Sequence, residues 1–80
     1  MMTERIPLSD MNVNEVGKIV EFVGGFGLRD RLCSMGIRPG VKVTRINSGF
    51  GRGPVVIKAG EAQTALGHGM SYKVIVEVDR

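Results

Sequence analysis

Eighty residues with a net charge of +3, one cysteine and one histidine allow one small domain, residues 1–80, and leave no material for a disulfide framework or a Cys/His metal cluster. The longest run free of Lys, Arg, Asp and Glu is Ala62–Tyr72, eleven residues, against the about 20 apolar residues of a membrane-spanning helix. Met1–Arg5 leads into Pro7 without the apolar core of a signal peptide, and a lone thiol suits a reducing compartment, so a soluble cytoplasmic chain is expected.

In chain order, Ile6-Pro7-Leu8 reads as an extended lead-in, and Ser9-Asp10 as the start of a turn before Met11. Gly17 opens a strand, Lys18–Val23, whose apolar alternation is imperfect. Gly24-Gly25-Phe26-Gly27 closes it. This stretch has neither G-x-x-x-x-G-K-[ST] nor G-x-G-x-x-G spacing, so it is not read as a phosphate loop. Three glycines in four residues instead mark a corner where backbone passes close to backbone.

Leu28, Leu32 and Met35 then recur at i, i+4 and i+7, one apolar stripe of a helix, and all three are expected in the core. Gly36 stands where a helix commonly ends in a left-handed residue. In Arg38-Pro39-Gly40, proline fixes φ at the first central position and glycine permits a positive φ at the second, the pattern of a type II turn. With the stripe facing inward, Cys33 falls on the flank beside Arg29, partly open to solvent.

A β-branched strand, 41–47, leaves the turn and runs into Ser48-Gly49-Phe50-Gly51-Arg52-Gly53-Pro54, a hairpin loop with an aromatic and an arginine at its tip. Val55–Lys58 returns, Ala59-Gly60-Glu61 turns, and Ala62–Leu66 follows. Gly67-His68-Gly69 interrupts, with His68 read as a loop residue. Tyr72–Val78 closes the chain with the cleanest alternation, Val74, Val76 and Val78 on one face and Lys73 and Glu77 on the other. Five strands and one helix without βαβ spacing predict a mainly β fold, a small antiparallel barrel whose closure removes sheet edges.

The charge is unevenly spread. Residues 29–58 hold seven basic side chains, Arg29, Arg31, Arg38, Lys42, Arg45, Arg52 and Lys58, against Asp30, a local charge of +6. Such a face suits an acidic protein surface, acidic lipid or nucleic acid, and equally a solvated surface. Chemistry finds little footing. Cys33 and His68 are the only soft metal ligands and lie on different elements, while Asp10, Glu15, Glu21, Asp30, Glu61, Glu77 and Asp79 are scattered. No nucleophile, acid/base pair or cofactor motif accompanies His68, so neither an enzyme nor a dedicated iron site is expected.

Arg31-Leu32, Gly36-Ile37 and Pro39-Gly40 together resemble the R-L-x-x-[LM]-G-[ILM]-x-P-G signature of the FeoA family, the small cytosolic component of bacterial ferrous iron transport. Gly24-Gly25, Gly53-Pro54-Val55, Ala65-Leu66-Gly67 and Val74 with Val76 fall where the family has its flanking motifs, so the resemblance runs from Leu8 to Val78. Met35 stands at a commonly leucine position, and His68-Gly69 replaces a more helix-forming charged pair. The resemblance implies an SH3-like barrel with one inserted short helix. It also implies partnership with a membrane Fe(II) permease bearing a cytosolic GTPase domain.

The signature is shared with the C-terminal SH3-like domain of iron-dependent repressors, but these eighty residues hold no helix-turn-helix, so a stand-alone module, monomeric or weakly dimeric, is expected. A KOW-type nucleic-acid barrel ranks lower, because only Phe50 beside Arg52 interleaves an aromatic with the basic residues. Arg31 is weighed as an arginine finger for the GTPase and preferred as a docking residue. The expected docking set is Phe50, Arg52, Arg29, Arg31 and Arg38. Phe50 is weighed as its anchor, since aromatic and arginine side chains are enriched at interface hot spots, against packing back onto its own barrel. Leu28, Leu32, Met35, Gly36, Pro39 and Gly40 form the structural signature.

Overall fold

A computed structural model describes residues 2–47 and 53–80. The elements are strand β1 (Thr3–Pro7), a 3-10 turn (Leu8–Asp10), β2 (Val16–Phe22), helix α1 (Phe26–Ser34), β3 (Lys42–Arg45), β4 (Val55–Ala59), β5 (Ala62–Leu66), helix α2 (His68–Ser71) and β6 (Val74–Asp79). All pairings are antiparallel and form one sheet in the order β1-β6-β2-β3-β4-β5. Inward side chains of the strands, at period two on β4 and β6, meet Leu8, Met11, Leu32 and Ile37 in one core. On β6, Val74, Val76 and Val78 point inward as the alternation predicts.

Six strands stand where five are expected. The sixth, β1, has only Ile6 buried and therefore shows no alternation in sequence; it is held by β6, from Thr3 opposite Asp79 to Pro7 opposite Ile75. The expected closure is not made by a ladder. Among the described residues β1 and β5 remain the two edges, and the sheet curls round its core.

β2 begins two residues earlier than expected, and its imperfect alternation has a cause. Its register against β6 shifts between Ile19 and Glu21, leaving Val20 as the extra residue of a β-bulge. Gly17 lies inside this strand, buried, and an added Cβ would stand 3.1 Å from Val78 Cγ1 and 3.2 Å from Met11 Cε, so glycine lets the sheet close on the core.

Two other expectations are corrected. Met35 is 40% exposed, not core: it is the C-cap of α1, with φ −90° and ψ 3°, so the helical phase ends before it, and Ile37 fills the core instead. His68 is not in a loop but opens α2, where the Ser71 amide donates to the Gly67 carbonyl at 2.9 Å and the buried Ser71 hydroxyl donates to the His68 carbonyl at 2.8 Å. A polar residue that bonds its own helix backbone tolerates burial, and this supports a turn that glycine-flanked His68 alone would not.

Candidate functional site

The site is built around α1 and the turn that follows it. Gly24, at φ +142°, turns the chain from β2 into the helix, and an added Cβ would stand 2.9 Å from Leu28 Cδ2, so the expected close approach is between backbone and a side chain. Phe26 and Gly27 already belong to the helix, so the glycine-rich corner is shorter than the sequence indicates.

Leu32 is fully buried and Leu28 packs on the core beside it; burying a leucine side chain stabilises by about 1.5–3 kcal/mol. At the helix end the Gly36 amide donates to the Cys33 carbonyl and the Ile37 amide to the Leu32 carbonyl, each at 3.0 Å, with Gly36 at φ +83°. This is the Schellman arrangement, and its apolar pair is Leu32 with Ile37. The Val41 amide then donates to the Arg38 carbonyl at 3.1 Å with Gly40 at φ +94°, the expected type II turn. The turn is bonded to the bulged strand on both sides: the Gly40 amide donates to the Ile19 carbonyl at 2.7 Å and the Ile19 amide to the Val41 carbonyl at 2.9 Å.

This frame places the arginines. Relative to buried Leu32, 100° per residue puts Arg29 about 60° round one side of α1, next to Cys33, and Arg31 about 100° round the other. Arg38 reaches back so that its Nε donates a long hydrogen bond, 3.4 Å, to the Cys33 carbonyl. Arg29 and Pro39, the neighbour of Arg38, line one side, while Arg31 stands on the opposite flank of α1; all three arginines are exposed. Cys33 is half-buried and forms no disulfide. Beside Arg29 lies an open groove of about 390 Å³, lined by Val20–Phe22 of the bulge, Gly24, Gly25, Arg29 and Pro39.

Phe50 and Arg52, the other expected docking residues, lie outside the described residues. The stem of their loop is held by Asn47, whose Oδ1 accepts from the Val56 amide at 3.0 Å and whose Nδ2 donates to the Pro54 carbonyl at 2.7 Å, so a side chain continues the β3–β4 ladder beyond Ile46. Sequence reasoning missed Asn47. An amide-bearing residue directly after a β-branched strand was the available signal.

Sequence reasoning also placed Arg45 on the basic surface, and this is corrected. Arg45 is buried, and its Nη1 donates to the Ser9 carbonyl at 2.9 Å and the Met11 carbonyl at 2.6 Å, clamping the 3-10 turn onto β3. Its position on the inward face, two residues after Val43, was the missed signal. Cys33 and His68 lie on α1 and α2, and among the described residues no three His, Cys, Asp or Glu side chains converge. No described helix is long and apolar enough to cross a membrane. The arrangement leaves Arg29, Arg31 and Arg38 exposed around α1, with a groove beside Arg29.

The family described as FeoA domain matches residues 6–78. A solved structure described as an iron uptake regulatory protein (FeoA) superposes with a TM-score of 0.84 at 34% identity, over 91% of this chain and 96% of that one. FeoA of Stenotrophomonas maltophilia complexed with zinc, described as a prokaryotic SH3 domain protein and candidate activating factor for ferrous iron transport, gives 0.73 at 20% identity over 95% and 89%. A manganese-dependent transcriptional repressor shares the fold, with 0.85 at 12% identity over 99% of this chain and 44% of the repressor. No curated protein is a significant match in sequence.

Proposed function

The chain belongs to the FeoA family, an SH3-like family of small proteins associated with iron(II) transport, and from that premise we propose that it is a non-enzymatic accessory factor docking on the cytosolic GTPase domain of a ferrous iron permease. The observation that carries the reading is the flank of α1. Arg29 stands exposed on a helix fixed at its end by a Schellman bond pair and a type II turn, Arg38 stands exposed in that turn, and Arg29 and Pro39 line an open groove. Rigid presentation of a few cations lowers the ordering cost of association. Charges at the rim of such a surface act mainly through the association rate and its salt dependence. Phe50 and Arg52, next in sequence after β3, extend the same reading.

The zinc-bound relative, described as a candidate activating factor for ferrous iron transport, supports reading this chain as an accessory factor. Iron(II) is accordingly cargo of the partner, and this chain's contribution is protein contact. The test is binding of the purified protein to the soluble GTPase domain of its own permease by biolayer interferometry. Binding is expected, with Arg29→Glu and Arg38→Glu slowing association and Arg31→Glu doing less. Absence of binding, or equal effects of all three reversals, overturns the assignment of that flank. Association with short RNA or DNA instead, with affinity falling steeply on a log–log salt plot, would assign the same cations to phosphates.

A further inference from the structure

Strand β5 ends the ladder, and among the described residues its backbone edge is unguarded. Val56 of β4 donates its N–H to Asn47 Oδ1 at 3.0 Å and accepts from the Ile46 amide at 2.9 Å, so both its backbone polar groups turn toward β3. Ala65, opposite Val56, therefore forms a non-hydrogen-bonded pair with it, and its own N–H and C=O point away from β4. Gln63, opposite Lys58, repeats the geometry. Among the described residues Ala62–Leu66 makes no backbone hydrogen bond outside its ladder with β4. The opposite edge differs: β1 carries Glu4 and Arg5 and ends in Pro7, features that discourage pairing, whereas β5 has no charge and no proline.

We propose that this edge pairs with a second copy of the chain, β5 antiparallel to β5 about a two-fold axis at Thr64. In that register Gln63 of each copy faces Ala65 of the other, and each such pair exchanges both its N–H···O bonds. The registers one step to either side would pair Ala65 with Glu61 or Gln63 with Gly67, outside the strand. The charge pattern also fits. The two rows through the bonded pairs run Lys58, Gln63, then Ala65 and Val56 of the second copy, and the row between them is uncharged, so no like charges meet although the chain carries +3. Short side chains at Ala62 and Ala65 let the strands approach to the about 4.7–4.9 Å of a ladder. Because little apolar area is covered, the contact falls below the about 1,200 Å² of stable interfaces, and the dimer is driven by concentration. Arg29 and Arg38 lie in the β2–β3 connection, not on this edge, so the pairing does not depend on the docking reading.

The test is sedimentation equilibrium of the full chain from about 10 µM to 1 mM, with amide spectra over the same range. The mass is expected to rise from monomer toward dimer while the Gln63 and Ala65 amides shift and become protected. Ala65→Pro removes an N–H that β4 does not use. The double variant Gln63→Lys, Ala65→Lys keeps every ladder bond and sets like charges face to face across the axis. Each is expected to weaken association at least about tenfold, and the lysine pair reports on the edge even where the proline variant does not fold. A monomer mass throughout, a dimer whose Gln63 and Ala65 amides stay unshifted, or an association indifferent to the lysine pair overturns the proposal.

Discussion

The Ile37 amide donates to the Leu32 carbonyl at 3.0 Å across the end of α1, and both side chains are fully buried in the same core. The bond makes Ile37, not Met35, the residue that completes the helix's apolar surface. Ile37→Ala is therefore expected to cost about 2–5 kcal/mol, the range for truncating a buried isoleucine. Met35→Ala, at a half-open C-cap, should stay within about 0.5 kcal/mol. Gly36→Ala should cost about 1–2 kcal/mol, because alanine resists the left-handed conformation. Urea unfolding measures all three, and equal costs at positions 35 and 37 would contradict the helix phase described above.

Arg45 joins two parts of the chain distant in sequence, since one guanidinium nitrogen serves both the Ser9 and Met11 carbonyls. Arg45→Met keeps the bulk but leaves two carbonyls without their donor, at about 1–3 kcal/mol for each buried group left unsatisfied. The expected signature is a lower unfolding midpoint together with faster amide exchange at Met11, whose N–H is bonded within the 3-10 turn. A midpoint shift with unchanged exchange there would mean that Arg45 does not clamp the turn.

What was legible in the sequence was local. Gly36, Pro39 and Gly40 announced the helix end and the type II turn because their backbone preferences act within four residues, and β6 announced itself by alternation. What was not legible depends on partners far along the chain. β1 is a strand because β6 pairs with it, and Arg45 is buried because the Ser9–Met11 turn arrives to receive it. The docking set was legible only as a list: helical phase splits it, setting Arg29 on the groove side of α1 and Arg31 on the other flank.

Glu15 and Arg80 give the fold a pH dependence. Arg80 Nη2 and Nε donate to the two carboxylate oxygens at 2.8 and 3.0 Å, and the Asn12 amide adds a third bond at 2.9 Å. These bonds, Arg80 first, hold the Glu15 carboxyl below its ordinary value of 4.5, partly opposed by burial. A carboxyl depressed in the folded state stabilises it fully above the unfolded value and loses that contribution as pH falls through the folded one. Glu15→Gln should therefore lower the melting temperature at pH 7, and the gap from the unsubstituted protein should shrink below pH 4.5. A gap unchanged into acid would show that the carboxylate charge is not what holds the C-terminal Arg80. Because Arg80 is one-third exposed, added salt should narrow the gap too.

The proposed docking on a GTPase domain requires an anchor as well as charge, because rim arginines alter encounter more than residence. Phe50 is the aromatic that the sequence sets between β3 and β4, in a loop whose stem Asn47 ties to Pro54 and Val56. Phe50→Ala is expected to weaken binding to the GTPase domain by about 1–3 kcal/mol, chiefly by faster dissociation, with little change in melting temperature. Arg52→Glu should do less, and its effect should fade as salt is raised. Arg29→Glu and Arg38→Glu should instead act through slower association. Calorimetry and interferometry on the same variants separate the two contributions. If Phe50→Ala lowers the melting temperature and leaves binding intact, Phe50 packs on its own barrel, and the anchor must be sought on the α1 side, where Met35 is an exposed apolar residue.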